Sequence, residues 1–285
     1  MDDFVRFENL CCRTGYAVGV GQLKDGTEMP VVVTATDRPT FRSVALQNTP
    51  TAFRTFATTV TDLPSTLAFA NSFGLLGRPR EDFQVIDVED ERGYRPGSIA
   101  ESVDQWIKAA AELRNALEIW QALRGSPKHD KWRALLKPYL LDRDIFLSPT
   151  DPLAAVLMRR DEDRFVAAWE KRRYHRAARL LLGFIVSSQL LRLHVMPTLA
   201  VEPSQHSVSV LLLRPPTLLG ALWLQFAQAV AQNKQYRACK GCGKFMELHW
   251  PEGFRKHRTT CSDACRSKVY RERRPKRKRK TVAGK

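Results

Sequence analysis

The stretch that decides the fold at the carboxyl end of this chain reads Cys239-Lys-Gly-Cys242-Gly-Lys and, after sixteen further residues, Cys261-Ser-Asp-Ala-Cys265-Arg. It contains two close pairs of cysteines. Zinc prefers four tetrahedral thiolate or imidazole ligands, and structural zinc sites recruit them as two such pairs. The spacing therefore predicts one structural zinc ion held by the four cysteines. A site with four protein ligands leaves no open position for water or substrate.

The two pairs are expected to lie on different local structures. A Cys-x-x-Cys turn lets both sulfur atoms face one point, and Gly243 after it relieves the backbone of a tight turn. The second pair is better placed at a helix start, with Cys261 just before the helix and Cys265 in its first turn. Ser262 or Asp263 would cap that helix. The Cys-x-x-Cys turn at residues 239–242, called the knuckle below, a hairpin and a helix in this order form a treble-clef-like finger.

A redox role for the first pair is the competing interpretation, but it would leave the second pair unexplained. The chain begins without a basic region before an apolar stretch, so no signal peptide is expected and the thiols should be in a reducing compartment. Cys11 and Cys12 are adjacent and far from any partner pair, and we expect them to be small buried apolar residues.

Charge is concentrated at the same end of the chain. The protein has 285 residues and a formal net charge of +16. Residues 234–285 hold 18 Lys and Arg against four acids, which is a net of +14, whereas residues 1–233 have 28 against 26, a net of +2. So local an imbalance points to a polyanionic partner for this segment. A solvated tail that only keeps the protein soluble is the alternative.

The helix predicted after Cys265 carries much of this charge and leads into a Lys/Arg tail. Basic side chains on a helix suit contact with phosphates, which gives affinity that weakens steeply with salt. Tyr270 could either stack on a base or pack internally. The candidate nucleic-acid-binding residues are Lys244, Arg255, Lys256, Arg258, Arg266, Lys268, Tyr270, Arg271, Arg273, Arg274, Lys276, Arg277, Lys278, Arg279 and Lys280.

Upstream, the pattern alternates between short strands and longer helices. The predicted strands are Tyr16–Gln22, Met29–Thr36, Phe41–Leu46, Phe83–Val88, Val195–Val201 and Ser207–Leu213. The predicted helices are Ser65–Phe73, one that starts at a Ser98-to-Glu101 capping box and ends at Gly125, one that starts at Asp151-Pro152, one from Asp163 to Leu193, and Leu218–Val230.

The helix after Ser98 has an apolar stripe that is typical of an inward face, with a dimer seam as the alternative. We therefore predict an α+β chain in three parts. Residues 1–233 form a mostly helical domain with short N-terminal strands, residues 234–274 form the treble-clef-like finger, and residues 275–285 form a basic tail.

At these residues the chain resembles the bacterial CGNR-type zinc-finger proteins, whose finger follows a mostly helical ABATE-type domain. The parts that match are the cysteine pairs, the basic linker Arg255-Lys-His-Arg258, and Lys268-x-Tyr270-Arg271. The first pair is more closely spaced than in that family, and Cys265 is followed by Arg266-Ser rather than Gly-Asn-Arg. The resemblance implies transcription regulation, with a ligand or stress signal sensed by the N-terminal domain.

These observations rank the function classes. A DNA-binding regulator comes first, ahead of an RNA-binding or toxin-antitoxin component and of a protein-interaction module with a purely structural finger. An enzyme is not expected, because the chain has no phosphate-cradling glycine loop, nucleophile elbow or paired-histidine motif. The longest apolar run, Leu180–Leu191, is too short to span a membrane. A cytoplasmic location is expected from the resemblance, and a homodimer and a small-molecule ligand of residues 1–233 stay open.

Overall fold

The computed structural model describes residues 8–23, 25–36, 39–77, 83–87, 100–125, 127–141, 162–201, 209–248 and 258–273. The chain divides into two compact units, residues 1–230 and residues 231–285, and each is described by itself. Helices and small antiparallel sheets occur together in the first unit, so the mixed helix-and-sheet class that the sequence predicts is confirmed. The predicted helix start at Asp151-Pro152 lies outside the described residues.

Ten strands, eight α-helices and one short 3₁₀ helix (Leu46–Asn48) are found in the described residues. The strands are β1 (Glu8–Cys12), β2 (Tyr16–Leu23), β3 (Glu28–Thr34), β4 (Phe41–Ala45), β5 (Phe83–Asp87), β6 (Ala100–Ser102), β7 (Met196–Val201), β8 (Ser209–Arg214), β9 (Gln235–Ala238) and β10 (Phe245–Leu248). The helices are α1 (Ala52–Thr59), α2 (Leu63–Phe73), α3 (Val103–Arg124), α4 (His129–Leu141), α5 (162–170), α6 (Tyr174–Arg192), α7 (Leu218–Ala231) and α8 (Asp263–Arg273).

The strands of the first unit form three antiparallel sheets. Strands β5, β2, β3 and β6 form one in that order, β1 pairs with β4, and β7 pairs with β8. The β2–β3 and β7–β8 hairpins are those that the sequence predicts. Strand β1 was not predicted, and it buries Cys11 and Cys12, which are 0% and 2% exposed, as small core residues.

The apolar stripe of α3 lies in the core of a single copy of the chain. Its buried residues include Val103, Trp106, Ala110, Leu113, Leu117 and Trp120. The ring centroids of Trp106 and Phe56 (in α1) lie 6.1 Å apart, and those of Trp120 and Phe226 (in α7) lie 5.7 Å apart. The stripe is therefore an inward face, and it is not available as a dimer seam. No helix of the described residues is both long enough and apolar enough to cross a membrane.

The predicted capping box at the start of α3 is wrong. Glu101 lies in β6, and the helix begins two residues later, at Val103. The Glu101 side chain is 1% exposed and accepts hydrogen bonds from the backbone N–H groups of Leu76 (2.8 Å) and Gly77 (2.5 Å) and from the indole of Trp106 (2.9 Å). A buried carboxylate that accepts from two buried donors and from the Gly77 N–H is held in the core, where it cannot cap a solvent-exposed turn.

The single helix predicted from Asp163 to Leu193 is also wrong, because it is two helices, α5 and α6. Arg172 adopts a left-handed conformation with φ of 53°. The Arg172 N–H donates to Trp169 O and the Arg173 N–H to Ala168 O, both at 2.8 Å. This pair of bonds is the Schellman pattern that ends a helix, here with arginine at the position that glycine usually occupies. The sequence lacked the glycine that would have predicted the break.

Candidate metal centre

In the second unit, the first cysteine pair lies in the turn that joins β9 to β10. These strands pair antiparallel, with Ala238 opposite Phe245. Beyond that pair, the Cys239 N–H donates to Lys244 O (2.9 Å) and the Gly243 N–H donates to Cys239 O (2.8 Å). Gly243 has φ of 73°, a conformation that side chains disfavour, so glycine here lets the chain turn tightly behind Cys242.

The second pair spans the start of α8, as the sequence predicts. The helix begins at Asp263, so Cys261 precedes it and Cys265 lies in its first turn. Ser262 is the cap residue, because its Oγ accepts the backbone N–H of Cys265 (3.2 Å) and its carbonyl accepts that of Arg266 (3.0 Å). The cap fixes where the helix starts and so fixes the position of the Cys265 sulfur.

The four predicted ligands come together at one point. The sulfur atoms of Cys239, Cys242, Cys261 and Cys265 all lie within 4.8 Å of one another. Cys261 Sγ lies 3.5 Å from both Cys242 Sγ and Cys265 Sγ, well beyond the roughly 2.05 Å of a disulfide bond. A tetrahedral metal with bonds to sulfur of roughly 2.3 Å requires sulfur atoms roughly 3.8 Å apart. The cluster could therefore hold one metal ion.

The backbone around the cluster favours ionised sulfur at Cys239. Burial acts to raise the pKa of this thiol, but N–H groups of Cys261, Gly241 and Cys242 stabilise the thiolate and together lower the pKa to about 6. The N–H of Cys261 lies 3.2 Å from Cys239 Sγ and that of Gly241 lies 3.4 Å from it. The thiolate is the form that binds metals, so these donors prepare Cys239 as a ligand.

The pKa of Cys261 shifts in the opposite direction, upward, when the four groups are thiols. Its hydrogen bonds with the sulfur atoms of Cys265, Cys242 and Cys239 raise its pKa to about 12, because the retained proton is shared between crowded sulfur atoms. Four thiolates this close would repel one another strongly without a cation between them. A cation bound between them would offset this repulsion.

Close packing of the knuckle against α8 holds the two cysteine pairs together. A Cβ atom added to Gly241 would lie 2.8 Å from both the Cβ and the carbonyl oxygen of Cys265, and 3.0 Å from its Cα. Real Cβ atoms essentially never approach other heavy atoms below 3.0 Å. Glycine at position 241 therefore lets the knuckle touch the first turn of the helix.

We expect Gly241→Ala to weaken metal binding about ten-fold or more, because the methyl group forces the knuckle away from Cys265. Overpacking of this kind costs about 1 to 3 kcal/mol, and 1.4 kcal/mol corresponds to a factor of ten. Chelator competition on the full chain measures the effect. Lys240→Ala, an exposed position on the same knuckle, is the matched control and should keep wild-type affinity. Equal affinities for both variants would contradict the packing argument.

Arg258 stabilises the segment that leads into the second pair. Its guanidinium donates to the carbonyl oxygens of Thr260 (2.8 Å) and Cys261, and its own carbonyl accepts from Arg237 (3.2 Å). The Lys240 N–H donates to Thr259 O (2.9 Å) and ties the same segment to the knuckle. The Arg258 guanidinium thus stabilises the fold of the finger, whereas the sequence analysis predicts that Arg258 contacts nucleic acid.

The described basic residues of α8 lie on its solvent side. Cys265 and Val269 are half-buried on one face, whereas Arg266, Lys268 and Arg271 are exposed. Arg266 pairs with Asp263 at 2.8 Å, but both side chains are largely exposed, so the ion pair contributes little and exchanges easily for another anion.

Of the other residues predicted to contact nucleic acid, three lie in the described structure and the rest lie outside it. Lys244 is exposed at the end of the knuckle, Tyr270 is 63% exposed on α8, and Arg273 is the last residue of α8. Those outside the described residues are Arg255, Lys256, Arg274, Lys276, Arg277, Lys278, Arg279 and Lys280.

Two further exposed basic residues of the same unit are not among those that the sequence predicts for nucleic-acid contact. Arg237 lies on β9 and Lys240 lies between the two cysteines of the knuckle. Their position within the Cys-x-x-Cys segment and its preceding strand was the available signal. Comparisons of the chain with protein-family models, with curated proteins and with solved structures find no match.

Proposed function

We propose that the protein is a zinc-finger nucleic-acid-binding protein that acts on DNA as a transcription regulator. The observation that carries the proposal is the convergence of the four cysteine sulfur atoms at the base of α8, whose solvent side bears Arg266, Lys268 and Arg271. A metal ion there would fix a basic helix rigidly and present it outward. No other described group of His, Cys, Asp and Glu residues could hold a metal ion.

Zinc is the metal that this donor set fits best. Four thiolates in a tetrahedral arrangement select zinc or iron, and the knuckle-and-helix arrangement is typical of structural zinc. The order of knuckle, hairpin and helix supports a treble-clef-like finger. With four protein ligands the ion is structural, and the role of the chain's own residues is to present side chains rather than to catalyse a reaction.

Charge supports a polyanionic partner. Four thiolates and one zinc ion contribute about −2, which leaves residues 234–285 strongly positive. Phosphate neutralisation by Lys and Arg gives most of the affinity of non-specific nucleic-acid binding. The resemblance to CGNR-type proteins supports DNA and transcription regulation, with residues 1–230 as a sensing or dimerising unit of a cytoplasmic protein.

The triple variant Arg266→Gln, Lys268→Gln, Arg271→Gln is expected to lower DNA affinity about 10- to 100-fold at low salt. The slope of log affinity against log salt should become shallower by about 2 to 3, because each lost phosphate contact removes about 0.9 from it. Fluorescence anisotropy of a labelled duplex between about 50 and 200 mM salt measures both quantities.

The matched control for this experiment is Lys131→Gln, Arg133→Gln, Lys137→Gln. These three exposed basic residues lie on α4 in the other unit, so the net charge changes equally. We expect the control to bind like wild type. Equal losses in both variants would show that only total charge matters and would contradict a role for α8. Tighter binding of structured RNA than of duplex DNA would contradict the choice of DNA.

A further inference from the structure

Tyr270, on α8, is the most exposed of the large hydrophobic side chains that the structure describes. It is 63% exposed, and it makes no hydrogen bond or ring contact in the part of the chain that the structure describes. The helix already has its inward contacts, because Cys265 and Val269 occupy the face turned toward the finger. Internal packing, one of the two roles that the sequence left open for this tyrosine, is therefore not the role it has.

Two exposed arginines lie near Tyr270 in the sequence of α8. Arg266 lies one helical turn before Tyr270 and so shares its face of the helix, whereas Arg271, the next residue, lies about 100° further around it. Both are exposed. Ser267, three positions before Tyr270, is small and exposed, and its carbonyl accepts the Arg271 Nε at 3.3 Å. An exposed aromatic ring on a helix with exposed basic side chains is the combination that single-strand-binding surfaces use, in which bases stack on aromatic rings and basic groups follow the backbone.

We propose that Tyr270 is a stacking platform for an unpaired base, with Arg266 and Arg271 holding the phosphates that flank it. Bases inside a duplex have both faces covered by their neighbours, so the ring can stack only where a base is unpaired. The partner is therefore nucleic acid that offers a single-stranded segment in addition to the duplex that the basic residues of α8 bind. This inference rests on the proposed nucleic-acid binding and specifies the form of nucleic acid that α8 accepts.

The test uses the full chain with Tyr270→Leu and Tyr270→Phe, and two probes of one sequence. One probe is a single-stranded oligonucleotide with the fluorescent base 2-aminopurine at its centre, and the other is the matching blunt duplex. We expect Tyr270→Leu to weaken single-strand binding about ten-fold and to leave duplex binding within about two-fold. Tyr270→Phe should bind like wild type, because the ring and not the hydroxyl stacks. The quenching of 2-aminopurine that stacking causes should disappear only with leucine.

The outcomes separate this inference from the proposed function. If wild type binds neither probe, nucleic-acid binding itself is wrong. If wild type binds the single strand and Tyr270→Leu binds it equally well, nucleic-acid binding stands and the stacking role is wrong. Equal weakening of both probes by leucine, or a loss with phenylalanine as large as that with leucine, also overturns the stacking role. Metal content, measured for each variant, should equal that of wild type, because the side chain lies on the solvent side.

Discussion

Cys265→Ser is expected to abolish stoichiometric metal binding and, with it, the folded state of the second unit. Serine offers a hydroxyl in place of a thiolate, and a zinc site that loses one of four thiolates should lose affinity on the order of a thousand-fold or more. In small zinc domains the free energy of metal binding is also the free energy of folding, roughly 10 to 16 kcal/mol. The hairpin and α8 have only a small apolar core of their own, in which Met246 and Leu248 are the buried aliphatic side chains described.

Hydrogen exchange tests this prediction, because it measures the protection of backbone amides in each region of the chain. In Cys265→Ser, amides of α8 should exchange at nearly unprotected rates, whereas amides of α3 should keep wild-type protection. DNA affinity should fall with the loss of α8. The control is Cys12→Ser, whose sulfur lies 3.0 Å from the Thr14 hydroxyl, so that serine can keep this hydrogen bond. Wild-type protection of α8 in Cys265→Ser would mean that the helix does not depend on a metal.

Glu101→Ala is expected to destabilise the first unit by about 3 to 5 kcal/mol. The substitution leaves the buried N–H of Leu76 and the buried indole of Trp106 without their acceptor, at about 1 to 3 kcal/mol each, and it also removes the bond from the exposed Gly77 N–H, which water can replace. Natural domains have only about 5 to 15 kcal/mol of stability in total, so much of the first unit's stability would be lost. Urea unfolding followed by tryptophan fluorescence measures the change.

Glu101→Gln is the matched comparison. Leu76 and Trp106 both donate to Oε2, so a glutamine oxygen at that position keeps two of the three bonds, and we expect an intermediate loss. Metal content should be unchanged in both variants, since the cluster belongs to the other unit. Stability of Glu101→Ala within about 1 kcal/mol of wild type would contradict the role assigned to this carboxylate.

The metal ligands could be predicted from sequence because their chemistry depends on local spacing. Two cysteine pairs predict a cluster without any knowledge of the rest of the chain. The sequence also placed the helix cap at Ser262 or Asp263, and the structure selects Ser262. The requirement for Gly241 could not be predicted, because it arises from contact with a helix more than twenty residues away. The use of Arg258 inside the finger has the same long-range origin, since a basic residue in a linker looks the same whether it serves the fold or a ligand.

The two wrong predictions for the first unit, the capping box at Ser98–Glu101 and the single helix from Asp163 to Leu193, also have physical causes. The Ser98-to-Glu101 pattern predicted a capping box because the sequence does not show that three donors from elsewhere in the fold surround the Glu101 carboxylate. The break between α5 and α6 was missed because Arg172 takes the left-handed conformation that usually requires glycine. In both places tertiary contacts override the local preference of the chain.

X-ray absorption spectroscopy at the zinc edge, combined with the metal content of the purified full chain, tests the central claim most directly. We expect one zinc ion per chain, surrounded by four sulfur atoms at roughly 2.3 Å with no nitrogen or oxygen ligand. Such a shell would establish that Cys239, Cys242, Cys261 and Cys265 bind one ion at the base of α8. Zinc well below one equivalent per chain, or a shell with fewer than four sulfur atoms, would contradict the claim and remove the physical basis for a rigid basic helix.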